Sequence, residues 1–190
     1  QWLADSNPIQ NATSNTYILS SEEVGKKITV QVLFIDSYGS KESILSPATD
    51  SICSVIDGNE NKNVIVGSGF NDFINGFKGN DVITGGFGAD ILSGGAGNDS
   101  FIYLSLQDSL PNDPDVITDY ERGDKINLTA IDANALTPED DSFIFINSRL
   151  FSHTAGELRF ADQCLQADVD GDGVADFAIK LVLVGFDLYG

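Results

Sequence analysis

Apolar residues recur along the middle of this chain every nine positions, and glycines recur with them. Between Gly58 and Ile102 five blocks stand in register: GNENKNVIV, GSGFNDFIN, GFKGNDVIT, GGFGADILS and GGAGNDSFI. The eighth position is Ile65, Ile74, Ile83, Leu92 and Phe101, and the first is always glycine, at Gly58, Gly67, Gly76, Gly85 and Gly94. Each block splits into a glycine-rich half and a β-favouring half such as Val82-Ile83-Thr84 or Ile91-Leu92-Ser93, which predicts very short strands between turns. A strand that short cannot bury its apolar residue alone. Blocks must therefore stack, with the eighth positions forming one internal ladder. If two blocks make one turn of a coil, blocks two apart lie on the same edge. Before the repeat, the pattern predicts short strands at Tyr17-Ile18-Leu19 and from Lys27 to Ile35, then a turn at Asp36-Ser37-Tyr38-Gly39.

The polar positions carry the chemistry. The sixth position is Asn63, then Asp72, Asp81, Asp90 and Asp99. Glycines in the turns admit positive φ and leave the backbone unshielded, so carbonyl oxygens can converge on a common centre. The candidate metal-binding set is therefore Gly67, Gly69, Asp72, Gly76, Gly79, Asp81, Gly85, Gly86, Gly88, Asp90, Gly94, Gly95, Gly97 and Asp99. Stacking places Asp72 against Asp90 and Asp81 against Asp99. Two carboxylates and about four carbonyls give roughly six hard oxygen ligands, within the range calcium takes, whereas zinc or copper would call for nitrogen or sulfur. Asn63 falls over Asp81, where one missing charge weakens the ion. Asp108 lies one further period beyond Asp99 and is expected to close the site above Asp90, although its block YLSLQDSLP has lost every glycine. Solvated turn-forming aspartates would account for one such block but not for five in register. A G-x-G-x-x-G fragment lacks the following helix and the lysine and serine of a phosphate loop.

Charge sharpens the picture. The chain has 190 residues and a formal net charge of -19, which argues against nucleic acid and anionic membrane surfaces as partners. Without cations, carboxylates on adjacent turns repel, and a glycine-rich segment of modest hydrophobicity does not offset its ordering entropy. Calcium is expected to fold it, because binding and folding free energy are one quantity when the site exists only in the folded state. Cys53 and Cys164 are too few for a disulfide scaffold and their pairing stays open. No apolar run reaches membrane-spanning length. A start at Gln1-Trp2 without methionine leads us to expect a fragment.

The blocks match G-G-x-G-x-D-x-U-x, and in this they resemble the RTX (hemolysin-type) calcium-binding repeats. Residues 100 to 190, through DSFIYLSLQDSLPNDPDVITDYERGDKINLTAID, FIFINSRLFSHTAGELRF and DVDGDGVADFAIKL, resemble the C-terminal half of the serralysin-type domain of peptidase M10. That resemblance implies calcium ligands at Asp108, Asp115 and Asp124, although YERGDK is one residue shorter than the usual spacing before Asp124. The segment WLADSNPIQNATSNTYILSSEEVGKKITVQVLFIDSYGSKESI is similar to the later strands of bacterial immunoglobulin-like repeats. The expected fold is all-β. A parallel β-roll continues into a β-sandwich-like C-terminal part over residues 53-190, after a partial Ig-like β segment over residues 1-52.

The resemblance implies a secreted or cell-surface protein, type I secretion machinery as a transient partner, several calcium ions, and upstream domains of the same polypeptide. The alternative is the tail of a larger secreted metalloprotease, other hydrolase or lyase, or of an RTX adhesin. The zinc chemistry of such a protease needs H-E-x-x-H, yet His153 is the sole histidine. No catalytic set is expected in this chain; Glu157 and Asp162 pair by count alone. A separate run, Asp168, Asp170, Asp172 and Asp176 around Gly171, reads either as a compact calcium loop or as an acidic hairpin turn without an ion. It is only partly like an EF-hand, since Ile179 stands where the bidentate glutamate belongs. The apolar end LVLVGFDLYG reads equally as an export signal or as a last core strand.

Overall fold

The computed structural model describes residues 1–185, in two compact units, Gln1–Ser54 and Val55–Gly190. The apolar end LVLVGFDLYG, read equally as an export signal or a last core strand, contributes residues 181–184 to a strand and continues through 186–190, outside the described residues. In the first unit, β1 (Trp2–Ala4), β2 (Asn7–Pro8), β3 (Ile28–Ile35) and β4 (Lys41–Leu45) form an antiparallel sheet in the order β2-β1-β3-β4. Asp36 shapes the β3–β4 turn by accepting the Tyr38 and Ser40 amides at 2.9 and 2.8 Å. Tyr17-Ile18-Leu19, predicted as a strand, is not one. No neighbouring strand pairs with it, Ile18 is exposed, and Ser20 opens a 3-10 turn capped reciprocally with Glu23.

The second unit is the predicted roll. Strands β5 (Ser54–Asn59), β7 (Asp72–Phe77), β9 (Ile91–Ser93) and β11 (Asp115–Glu121) build one wall, while β6 (Val64–Val66), β8 (Val82–Thr84), β10 (Ser100–Ile102) and β12 (Lys125–Asn127) build the other. Register follows the two-block turn. Ile65 pairs with Ile83 and Ile83 with Phe101 on one wall, and Ile74 pairs with Leu92 on the other, all parallel. These residues are at most 7 % exposed. Burying each contributes about 2 kcal/mol, so the repeat acquires a core only by stacking.

After Phe101 the period slips. The next ladder residues are Ile117, paired with Leu92, and Ile126, paired with Phe101. The segment from Tyr103 to Pro114, with a 3-10 turn at Leu106–Asp108, carries the extra residues. Beyond Ile126, β13 (Ile144–Phe145), β14 (Glu157–Ala161), β15 (Cys164–Asp168) and β16 (Phe177–Val184) extend the first wall in the order β13-β14-β15-β16-β11. Ile117 pairs with Leu181 of β16. Phe160, Leu165, Phe177 and Ile179 share one buried cluster with Tyr103 and the repeat ladder, so the sandwich-like part caps the roll with a continuous core.

Candidate metal centre

Each sixth-position residue stands at or just before the start of a strand, and two columns result. In the first, the Asp72 amide donates to Asp90 Oδ1 at 2.8 Å and the Asp90 amide to Asp115 Oδ1 at 2.8 Å. In the second, the Asn63 amide donates to Asp81 Oδ1 at 2.7 Å, Asp81 to Asp99 at 2.7 Å and Asp99 to Asp124 at 2.9 Å. Thus Asp72 stands against Asp90, and Asp81 against Asp99, as their spacing predicts.

Asp108 does not occupy the step above Asp90; Asp115 does. The seven-residue slip moves the sixth position from one to the other, and the nine-residue interval then resumes from Asp115 to Asp124. Asp108 instead closes its own 3-10 turn. Its Oδ2 accepts the Leu104 and Ser105 amides at 2.6 and 3.2 Å, and its Oδ1 accepts the Ser105 hydroxyl at 2.8 Å. It remains buried, and its charge reaches Asp90 and Asp115. Asp124 takes its column place despite the short YERGDK segment, and also accepts the Glu121 amide at 2.9 Å.

The columns are dry and anionic. Asp72, Asp81, Asp90, Asp99 and Asp115 are at most 1 % exposed, and each keeps one buried carboxylate oxygen without a hydrogen-bond partner. Among the described residues the sole ion pair is Lys78–Glu60, at the surface. Burial, and beyond it the neighbouring carboxylates, push Asp90 up to about 7, Asp99 to about 6 and Asp115 to about 8, against the hydrogen bonds each accepts. Buried anions in such numbers need either protons or a cation.

The turns press glycine backbone against carbonyls and column carboxylates. A β-carbon on Gly67 would strike the Gly85 carbonyl and the Asp72 carboxylate; on Gly76 it would strike the Gly94 carbonyl and Asp81. On Gly85 and Gly94 it would meet Asp90 and Asp99. Gly79, Gly88 and Gly97 stack on neighbouring turns in the same way, and Gly86 and Gly95 carry φ of +100° and +86°. Gly69 differs, having open space around its Cα. An all-oxygen donor set of carboxylates and carbonyls suits a hard cation of calcium's size and lacks the nitrogen and sulfur ligands that zinc favours. Orphaned carboxylate oxygens and crowded glycines together fit that ion.

Phe77 holds the position that Gly86 and Gly95 take in later blocks, and it does so at φ +73° with its side chain partly exposed. Left-handed backbone costs a non-glycine residue about 1–2 kcal/mol. Phe77→Gly is therefore expected to stabilise the calcium-loaded chain by about 0.5–1 kcal/mol after the entropy of glycine is counted, read as a higher thermal midpoint. A lower midpoint would contradict the strain assigned to this turn.

Sequence reading missed two carboxylates that close the last glycine turn. Asp119 accepts the Gly94 and Gly95 amides at 3.1 and 2.9 Å and the Ser93 hydroxyl at 2.6 Å. Glu121 accepts the Gly97 amide at 3.4 Å. Their signal was present, since Asp119 precedes Asp124 by the interval that separates Gly94 from Asp99.

In the loop between β15 and β16, Asp168 is fully buried and binds the Gly171 and Gly173 amides at 2.7 and 2.9 Å. One carboxylate oxygen from each of Asp168, Asp170 and Asp176 lies within 4.8 Å of the others; Asp172 is outside that group. Burial, then Asp170, Asp168 and Asp172, raise the Asp176 carboxyl. His153 braces this loop, its Nδ1 2.8 Å from the Asp172 carbonyl oxygen and its ring against Gly173. Glu157 is engaged by the Ser152 amide and hydroxyl, and Asp162 sits in the β14–β15 turn at φ +52°. Cys53 and Cys164 are free thiols. Among the described residues no helix is long and apolar enough to cross a membrane.

Residues 49–187 match the protein-family model described as Peptidase M10 serralysin C terminal. No curated protein matches the chain.

Proposed function

The chain belongs to the peptidase M10 serralysin C-terminal family, and from that premise we propose that it is a calcium-binding RTX module of a secreted bacterial protein. Ions held between stacked turns fold it outside the cell after type I secretion, and any catalysis belongs to other domains of the polypeptide. The observation that carries this reading is, among the described residues, the set of buried carboxylate oxygens with neither a hydrogen-bond donor at ordinary length nor an ion-pair partner. On this reading calcium ions sit at the Asp72–Asp90, Asp90–Asp115, Asp81–Asp99 and Asp99–Asp124 steps, with turn carbonyls completing each shell. Asn63 gives the weak entry step, and Asp108 contributes charge from beside the first column. The clustered oxygens of Asp168, Asp170 and Asp176 make their loop a separate single-ion candidate. Residues 1-52 serve for spacing or display as a partial Ig-like repeat, joined to the calcium module at 53-190.

An intracellular compartment poor in calcium keeps such a chain unfolded for threading, and the calcium-rich exterior folds it, because only the folded state holds the ions. A second reading, the tail of a larger secreted protease, other hydrolase, lyase or adhesin, adds upstream domains without altering this role. Circular dichroism of the full chain in chelator, then with calcium or magnesium at equal concentration, tests the proposal. Calcium should increase the β signal, and magnesium much less, because it demands a tighter octahedron. Equal responses to the two ions, or no response, would contradict it.

A further inference from the structure

Tyr103 is fully buried, and its hydroxyl makes no hydrogen bond of ordinary length, while the Asp115 carboxylate lies near enough to act on it as a side-chain acceptor. A buried phenol hydroxyl normally finds one, because leaving it unpaired forfeits its solvation. The ring is fixed from behind by Phe177 of β16, edge to face at 5.2 Å between centroids. Of the carboxylates acting on that hydroxyl, Asp115 acts most strongly, ahead of Asp90 and Asp108. Asp115 also holds an orphaned buried oxygen, Oδ2, while its Oδ1 is committed to the Asp90 amide. Its backbone is tied as well. The Asp115 amide donates to the Ser109 hydroxyl at 2.9 Å, and that hydroxyl donates to the Ala178 carbonyl of β16. A buried donor and a buried acceptor, each without a partner at ordinary length, thus act on one another at the end of the first column, with the tyrosine ring held by the core of the C-terminal sheet.

We propose that Tyr103 is a positioning residue for the cation at the Asp90–Asp115 step: its hydroxyl donates to the Asp115 carboxylate and fixes the angle at which that carboxylate meets the ion. This rests on the calcium reading above and deepens it at one site. A hydroxyl-to-carboxylate bond in a dry site is short and directional, so it restrains the one column carboxylate supplied by the slipped segment. In the second column the Tyr120 hydroxyl donates to the Asp124 backbone carbonyl at 3.0 Å.

The test is a double-mutant cycle in the full chain, read as the calcium midpoint of folding by circular dichroism. Tyr103→Phe keeps the ring and its contact with Phe177. In the wild-type background it should raise the midpoint about tenfold. In an Asp115→Asn background it should change the midpoint less than about twofold, while in an Asp99→Asn background it should again cost about tenfold. The same factor in all three backgrounds, or none in any, would overturn the proposal, because a packing role does not discriminate Asp115 from Asp99. If a variant fails to fold, the tyrosine 13Cζ resonance of Tyr103 in the wild-type chain decides. It should differ between chain saturated with calcium and chain folded by acid without it, and an identical resonance would overturn the proposal. A wild type whose folding ignores calcium would contradict the calcium reading itself; one that responds normally beside an inert Tyr103→Phe overturns this inference alone.

Discussion

Asp90→Ala is expected to raise the calcium concentration needed for folding by about a hundredfold or more, and Asn63→Ala by no more than about threefold. The difference lies in their places in the columns. Asp90 stands between Asp72 and Asp115, accepting the amide of one and donating its own amide to the other. It also keeps a buried oxygen without a hydrogen-bond partner, which the ions proposed at the Asp72 and Asp115 steps would share. Removing one partner from a buried charged assembly costs about 3–5 kcal/mol, and every 1.4 kcal/mol is a factor of about ten in affinity. Asn63 carries no charge, lies at the edge of its column, and its side-chain oxygen accepts the Asn59 amide at 2.8 Å. Calcium titrations of both variants by circular dichroism measure the ratio. Equal midpoints would show that ions do not bridge successive turns at Asp90.

Without calcium, acid should partly replace the ion. Folding raises the carboxyls of Asp99, Asp90 and Asp115 to about 6, 7 and 8, chiefly by burial. The folded calcium-free chain therefore binds more protons than the unfolded chain between the ordinary carboxylate range near 4 and those values. Its stability is fully present below about pH 4 and is lost as pH rises through about 6 to 8. In chelator, the chain should keep β signal near pH 5 and lose it near pH 8, and calcium should restore it at pH 8. A chelated chain equally ordered at both pH values, or better ordered at pH 8, would contradict this assignment.

Much of this architecture was legible because it rests on short-range periodicity. The nine-residue interval gave the strands, the eighth-position core and the pairing of Asp72 with Asp90 and Asp81 with Asp99. The slip after Phe101 was not legible from spacing. Asp108 falls on the expected interval and uses its carboxylate for a local cap that no periodic reading distinguishes from an ion ligand. The true continuation through Asp115 and Ile117 then Asp124 and Ile126 carries no repeat glycines at the first position, so the glycine signal failed where the apolar ladder persisted. Tyr103 and Ser109 were invisible for another reason. Their roles depend on β16 and β11 returning against the roll, contacts far apart in sequence. Tyr17-Ile18-Leu19 failed in the opposite direction, since local β preference found no strand to pair with.

The most direct test of the central claim, that calcium between the carboxylate columns folds this module, is small-angle X-ray scattering of the full chain at pH 8, in chelator and then with saturating calcium. The account predicts that the radius of gyration falls by about two thirds as the roll orders, given the usual dimensions of unfolded and folded chains of this size. An equally compact chain in chelator at that pH would contradict it.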